Sequence, residues 1–185
     1  MVKPADRPST PLGYALLGLV HRQPSSGYDL CRLFETTPMA HYSSSPGAIY
    51  PALRRLEKQE LITGETEKAD SLRPRRVYRS TSAGEAALRE WASARVTRDE
   101  VVRDLDMLML RFALMGALVD RAAARRFLEE LAGELEDYLG ELEGHLEKVA
   151  AAGDPHGRLA LESGIEQHRV LARWARRALG ELGEA

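Results

Sequence analysis

The 185-residue chain has a single cysteine, Cys31. That excludes an internal disulfide framework and fits a protein of the reducing cytoplasm. Without a second thiol to resolve it, Cys31 reads as a small, half-buried side chain rather than a redox sensor. No apolar run is long enough to span a bilayer; the best, Met107 to Val119, is short and broken by Arg111. The start, Met1 to Pro8, is polar and proline-rich, so no secretory leader is expected. Gly13, Gly18 and Gly27 lack the spacing of a phosphate-binding loop. His21, His41, His145, His156 and His168 show no paired-ligand spacing. His145 and His168 lie on apolar seams, where a hydrogen-bonded histidine outweighs a metal ligand even with Glu162 and Glu166 near His168. Ser43-Ser44-Ser45 has no glycine-flanked nucleophile elbow, so helix capping explains it better than catalysis. The expectation is a protein with no catalytic residues, no metal and no cofactor, and not an enzyme.

Proline is nearly missing from the second half. Eight of the nine prolines precede residue 75, and only Pro155 follows. Short elements come first and long helices after. Charge divides the same way, although the net charge of −2 argues for nothing by itself. Residues 1–98 hold 15 Lys and Arg against 10 Asp and Glu, +5; residues 99–185 hold 11 against 18, −7. A basic half joined to an acidic half suggests that the first binds a polyanion.

The most informative stretch runs from Ser43 to Gln59. Ser45 suits a helix cap and Pro46 the first helical position. Ile49, Leu53 and Leu56 make one buried stripe. The opposite face carries Gly47, Pro51, Arg54 and Lys58, with Arg55 alongside. Two small residues allow close approach to another surface, and the cations beyond them would meet phosphate. A helix entering a DNA major groove needs such a face. A merely solvated basic face is the bland alternative, and the neighbouring elements argue against it.

Thr10-Pro11 opens an earlier helix with Leu12, Ala15, Leu16, Leu19 and Val20 inside. Gln23 to Gly27 reads as a turn, with Ser25 or Ser26 capping a second helix that runs to about Thr36 and buries Leu30, Leu33 and Phe34. Leu61-Ile62-Thr63 and Arg75 to Ser80 read as strands joined by a polar, basic tip. Arg73, Arg75, Arg76 and Arg79 gather four cations there; next to a basic helix they read as a wing on the DNA backbone. Val77 and Tyr78 point opposite ways, and both are plausible core residues. Ser82 to Glu85 reads as a capping box opening a fourth helix with Gly84, Ala87, Leu88 and Trp91 inside. Three helices, a two-stranded wing and a fourth helix are the layout of a winged helix-turn-helix.

The runs "ALLGLV", "PSSGYDL", "SPGAIYPALRRLEKQELI" and "RPRRVYRSTSAGEAAL", in that order and spacing, resemble the PadR family of winged-helix transcriptional regulators over Pro11 to Leu88. Two positions depart from the family pattern. Glu60 stands where the family usually has glycine, at a cost of about 1 kcal/mol if a left-handed cap is needed there. Ser80 replaces a larger apolar residue, so looser wing packing is expected.

The second half is helical. Leu105, Leu108, Met109, Phe112 and Gly116 share a face of a helix ending near Leu118. Leu128, Leu131, Leu135, Tyr138, Leu142, His145 and Val149 then alternate at spacings of three and four, a coiled-coil seam. After a break at Gly153-Asp154-Pro155, Leu161, Ile165, His168, Ala172, Ala175 and Leu179 repeat the pattern. Leu139, Leu146, Leu171 and Trp174 widen both stripes beyond what one hairpin buries, which implies a second copy. The runs "LDMLMLRFALMGAL" and "RLALESGIEQHRVLARWARRAL" are similar to the helical C-terminal dimerisation domain of one branch of the family. Packing back on the chain's own N-terminal domain is the alternative.

The expected fold is mainly α: a winged helix-turn-helix over 10–95, a linker over 96–104, and an antiparallel, coiled-coil-like dimerisation and effector domain over 105–182. The resemblance implies a cytoplasmic, sequence-specific DNA-binding transcriptional regulator, a repressor acting as a homodimer on a pseudo-palindromic operator. Ser44, Ser45 and Tyr50 would bond phosphates, Gly47 and Pro51 would allow close approach, Arg54, Arg55 and Lys58 would supply charge in the groove, and Arg73, Arg75 and Arg76 would hold the wing to the backbone. The dimer contact would use Leu128, Leu131, Leu135, Tyr138, Leu142, Ile165, Leu171 and Trp174. The resemblance also implies a small hydrophobic or aromatic effector. Trp91 and Trp174 are candidates for its pocket, although packing explains two tryptophans more simply. A winged-helix protein-interaction adaptor without DNA recognition is the main competing class, and a small enzyme or metal sensor is a second that nothing in the sequence favours.

Overall fold

The computed structural model describes residue 8 and residues 10–42, 45–67 and 74–183. They fall into two compact units, one ending at Ala92 and the other beginning at Ser93.

The first unit runs α1 (Pro11–Arg22), β1 (Ser25–Ser26), α2 (Gly27–Thr36), a 3-10 turn (Pro38–His41), α3 (Pro46–Lys58), β2 (Ile62–Glu67), β3 (Arg75–Ser80) and α4 (Ser82–Ala92). The three strands form an antiparallel sheet in the order β1-β3-β2. This is a winged helix-turn-helix. Helix α1 starts where Thr10 accepts the Gly13 N–H at 3.1 Å. It is the hub of the unit, with Gly13 to Gly18 and Val20 all buried. Helix α2 starts in a reciprocal capping box between Ser26 and Asp29. The turn expected at Ser25-Ser26 proves to be a short strand paired with Tyr78 and Val77. Strand β3 is therefore central, and both Val77 and Tyr78 are buried. Leu33, expected inside, is instead exposed on α2.

The exit from α3 sets where the wing begins. Glu60 has φ +58°, the left-handed region. The Leu61 N–H reaches back to the Leu56 carbonyl at 3.0 Å and the Glu60 N–H to the Glu57 carbonyl at 2.9 Å, a Schellman ending. Thr81 ties down the other side. Its hydroxyl donates to the Glu60 carbonyl at 2.6 Å and accepts the Gly84 N–H at 3.0 Å, while its own N–H donates to the Leu61 carbonyl at 3.1 Å. Thr81, not Ser82, thus caps α4. A Cβ on residue 84 would stand 2.0 Å from the Leu61 carbonyl oxygen, so only glycine fits. The Ser80 hydroxyl lies 3.2 Å from His21 Nδ1.

The second unit holds α5 (Arg98–Arg103), α6 (Leu105–Met115), α7 (Arg121–Ala151) and α8 (Pro155–Glu181). Helix α5 replaces most of the expected linker. Its start is a capping box of Thr97 and Glu100, a signal present in the sequence but outweighed there by the density of charge. Glu100 also pairs with Arg111, which is 1% exposed, at 3.2 Å. The Arg111 guanidinium lies 4.9 Å from the Phe127 ring centre. Burial pushes its pKa down, and Glu100 and Glu130 oppose that shift.

Helices α7 and α8 form an antiparallel hairpin turned at Gly153, φ +73°. Arg176 grips Glu136 through two bonds, 2.8 and 2.5 Å, and Arg169 reaches Glu143 at 2.6 Å. The pair carries a true core: Phe127, Leu128, Leu131, Ala132 and Leu135 on α7, Ile165, Ala172 and Ala175 on α8. This corrects half of the expected dimer contact. Leu128, Leu131, Leu135 and Ile165 are already covered by their own chain, whereas Tyr138, Leu142, Leu171 and Trp174 are only half-buried.

Two stability outcomes follow from these junctions. Glu60→Gly should raise stability by about 1 kcal/mol in denaturant titration, because glycine adopts the left-handed cap without strain; an unchanged midpoint would rule strain out. Glu100→Gln keeps a capping side chain but removes the carboxylate bonded to buried Arg111, leaving only the more distant Glu130, and should cost about 2 to 3 kcal/mol. Adding Arg111→Met should restore most of that loss.

Candidate nucleic-acid interface

Helix α3 is built to face outward with little bulk at its start. Ser45 caps it, accepting the Gly47 N–H at 3.2 Å, and Pro46 opens it. The stripe Ile49, Ala52, Leu53 and Leu56 anchors it to the unit. Gly47 is exposed and Pro51 half-buried on the opposite face. Pro51 has no N–H to return to the Gly47 carbonyl, so an acceptor one turn back is left available outside. Arg54, Arg55 and Lys58 are exposed. Among the described residues none of the three has a carboxylate partner. Arg55 stands off the others, lining a shallow cleft with Thr10, Gly13 and Gln59.

Tyr50 is 39% exposed, and its ring lies over the start of α2. A Cβ on Gly27 would stand 2.5 Å from the Tyr50 ring edge, so the glycine makes room for that ring. Tyr28, 64% exposed on the first turn of α2, is a feature the sequence reading missed. An exposed aromatic just after a capping serine was the available signal.

The wing differs from expectation. Arg76 pairs with Glu57 of α3 at 2.6 Å, Arg79 with Glu67 at 3.0 Å, and Arg75 approaches Asp29 at 3.9 Å. These cations are half-exposed but already have anionic partners within the unit. Ser44 and Arg73, two further candidates, lie outside the described residues. Glu57 was not singled out in the sequence: nothing local marks a residue whose partners lie 7 and 19 positions away.

The remaining candidates have ordinary surroundings. Trp91 stacks on Tyr14 with ring centres 4.2 Å apart, and Trp174 meets Phe112 edge-on at 5.2 Å. Each tryptophan is packed within its own unit. Burial, then Glu35, pushes the Cys31 thiol up, which suppresses the reactive thiolate. His168 Nδ1 lies 2.7 Å from the Gly164 carbonyl and the ring meets Tyr138 edge-on at 5.1 Å. Among the described residues no group of His, Cys, Asp and Glu is placed to hold a metal ion, and no helix is long and apolar enough to cross a membrane.

Residues 16–90 match the transcriptional regulator PadR-like family, and residues 102–183 match the family described as virulence activator alpha C-term. Over residues 16–90 the chain carries a PadR-like transcriptional regulator domain. The negative transcriptional regulator PadR of Bacillus subtilis is 29% identical over 78% of this chain and 78% of its own length. Transcriptional regulator Rv3488 of Mycobacterium tuberculosis is 53% identical over 26% of this chain and 45% of its own. The crystal structure of Bacillus subtilis PadR in complex with operator DNA is 25% identical, covering 92% of this chain and 98% of that one, with a TM-score of 0.44. These relatives are named as regulators, not enzymes.

Gly27→Ala should displace Tyr50 while leaving the core intact. The expected outcome is a denaturation midpoint within about 1 kcal/mol of the parent and a several-fold loss of duplex binding. Equal binding would remove Tyr50 from the interface.

Proposed function

We propose that the chain is a sequence-specific DNA-binding repressor that acts in the cytoplasm as a homodimer. The observation that carries this reading is the outward face of α3, small at Gly47 and Pro51 and cationic at Arg54 and Lys58, with no carboxylate among the described residues to neutralise it. In this reading α3 enters the major groove. Ser44, Ser45 and Tyr50 bond the backbone, and Arg54 and Lys58 face phosphate, with Arg55 at the rim. Arg73 and Arg75 carry the wing's attraction for the flanking backbone. Few long side chains stand near the helix start, so readout leans on shape and on salt-sensitive contacts. Repression follows the name of the Bacillus subtilis relative.

The dimer part of the reading rests on the second unit. Residues 136–164, the far half of the α7–α8 hairpin, contain no buried residue. Leu139, Leu142, Leu146, Val149 and Leu161 are left half-covered there. An open groove of about 440 Å³ nearby is lined by Leu105, Met109, Val170, Leu171 and Trp174, with Asp106 and Gln167 at its edge. Val170 and Leu159 are 56% and 54% exposed, and eleven residues apart they share one helix face. A second copy seated on this surface would cover it, with Tyr138, Leu142, Leu171 and Trp174 in contact. Two half-sites about one helical turn apart, or a multiple, would then match the dimer. A small hydrophobic or aromatic effector that prefers one dimer geometry would release the operator.

The test is anisotropy with the DNA immediately upstream of the protein's own gene, at two salt concentrations, against a scrambled duplex. A regulator should prefer its operator by about a thousandfold. Arg54→Ala should weaken binding and flatten the slope of log K against log salt by about one unit. An unchanged slope removes Arg54 from the interface. Equal weak binding to both duplexes, repeated in a selection from fragmented genomic DNA, favours the adaptor class instead.

A further inference from the structure

One carboxylate joins the groove-facing helix to the wing. Glu57, half-buried on the last full turn of α3, accepts two bonds on the same oxygen. The Gly64 N–H of β2 donates at 3.0 Å and Arg76 Nη2 of β3 at 2.6 Å. The Arg76 guanidinium also lies 5.9 Å from the Tyr78 ring centre. Tyr78 stands opposite Gly64 in the β2–β3 register. The cluster is close-packed: a Cβ on residue 64 would lie 2.5 Å from Arg76 Nε, 2.9 Å from Glu57 Oε1 and 3.0 Å from the Tyr78 ring. The hydrogen bond to Glu57 holds the Arg76 pKa up, and Tyr78 is pushed up by burial and then by Glu57.

We propose that Arg76 is a positioning residue, which sets the angle between α3 and the wing through Glu57 and Gly64 and so tunes discrimination between DNA sequences. This replaces the phosphate contact that the sequence pattern assigned to it, and it rests on the DNA-binding reading above. The physical ground is the sharing of one acceptor. Glu57 is a negative charge on the helix face nearest the wing, where it would repel phosphate; Arg76 neutralises it. The backbone N–H that shares the oxygen is directional, so the pair fixes orientation as well as charge. A half-exposed pair adds little to stability. Its effect should therefore appear in selectivity rather than in the unfolding midpoint. The wing's long-range attraction then falls to its other cations.

The experiment uses the full chain as parent, Arg76→Gln, Glu57→Gln and the double variant, with Arg54→Ala as comparator. Amide exchange at Gly64 is read without DNA; salt slope is read on the scrambled duplex, and discrimination against the operator found by selection. The expected result is Gly64 exchange about tenfold faster in either single variant, with the amides of α1 unchanged. Arg76→Gln should keep the parent salt slope while Arg54→Ala lowers it by about one unit. Discrimination should fall about tenfold in each single variant and no further in the double, the non-additivity of two residues acting as one device. A loss of about one unit of slope in Arg76→Gln would make it a phosphate contact and overturn the proposal. Unchanged Gly64 exchange in Glu57→Gln would overturn it as well. A parent protein that binds neither duplex would instead mark the failure of the DNA reading itself.

Discussion

The first unit depends on one crowded stretch of backbone, Glu60 to Leu61. Helix α3 ends there in a left-handed residue, and the chain leaves as β2. Twenty residues later it returns to the same point, where Thr81 bonds both carbonyls and opens α4. The return requires that nothing stand between Leu61 and α4, hence Gly84. The motif threonine–x–x–glycine is thus a mechanical requirement: threonine supplies a donor and an acceptor at one atom, and glycine supplies absence of volume. With both strands anchored at this junction, the base of the wing is held beside the end of α3.

Against that frame the cations sort into two groups. Among the described residues, those on α3 have no carboxylate partner. Those on β3 face Glu57, Glu67 and Asp29, because the antiparallel register and the short strand β1 bring acidic residues to them. The same residue type therefore serves two purposes within one small domain. Isolated cations attract a polyanion at a distance, while paired ones hold elements in place. The distinction matters because phosphate affinity comes from uncompensated charge, whereas discrimination between sequences comes from geometry.

The second unit shows a different imbalance. Its core is compact near α6, where Phe112 meets both Phe127 and Trp174 and where Arg111 is sealed in with Glu100. Beyond Leu135 the hairpin continues for several turns; Arg98 of α5 lies over Tyr138 and pairs with Glu141, but Leu139, Leu142, Leu146, Val149 and Leu161 stay half-covered. Two helices alone cannot enclose a side chain that needs neighbours on all sides. Ion pairs such as Arg169–Glu143 hold the two helices in register but cover no apolar surface.

Local chemistry made much of this readable in advance. Serine or threonine before proline marked the starts of α1 and α3, and the three-and-four spacing marked α7 and α8, because caps and periodicity act within a few residues. The left-handed cap at Glu60 was legible only through the family resemblance, which places glycine at that position. Other features required the folded chain. Ser25-Ser26 became a strand only because β3 lies beside it. Arg111 became a core residue only because Glu100 and Phe127 surround it. Leu128 and its neighbours proved to be internal because α8 folds back over them, which an apolar stripe by itself does not specify. Arg76 is paired because Glu57, 19 residues away, shares its space. Sequence alone determined the helices α1, α3, α7 and α8 and that one half is basic. Tertiary structure decided which charges are paired and which apolar faces remain open, because burial and ion pairing depend on distances that the order of residues does not contain.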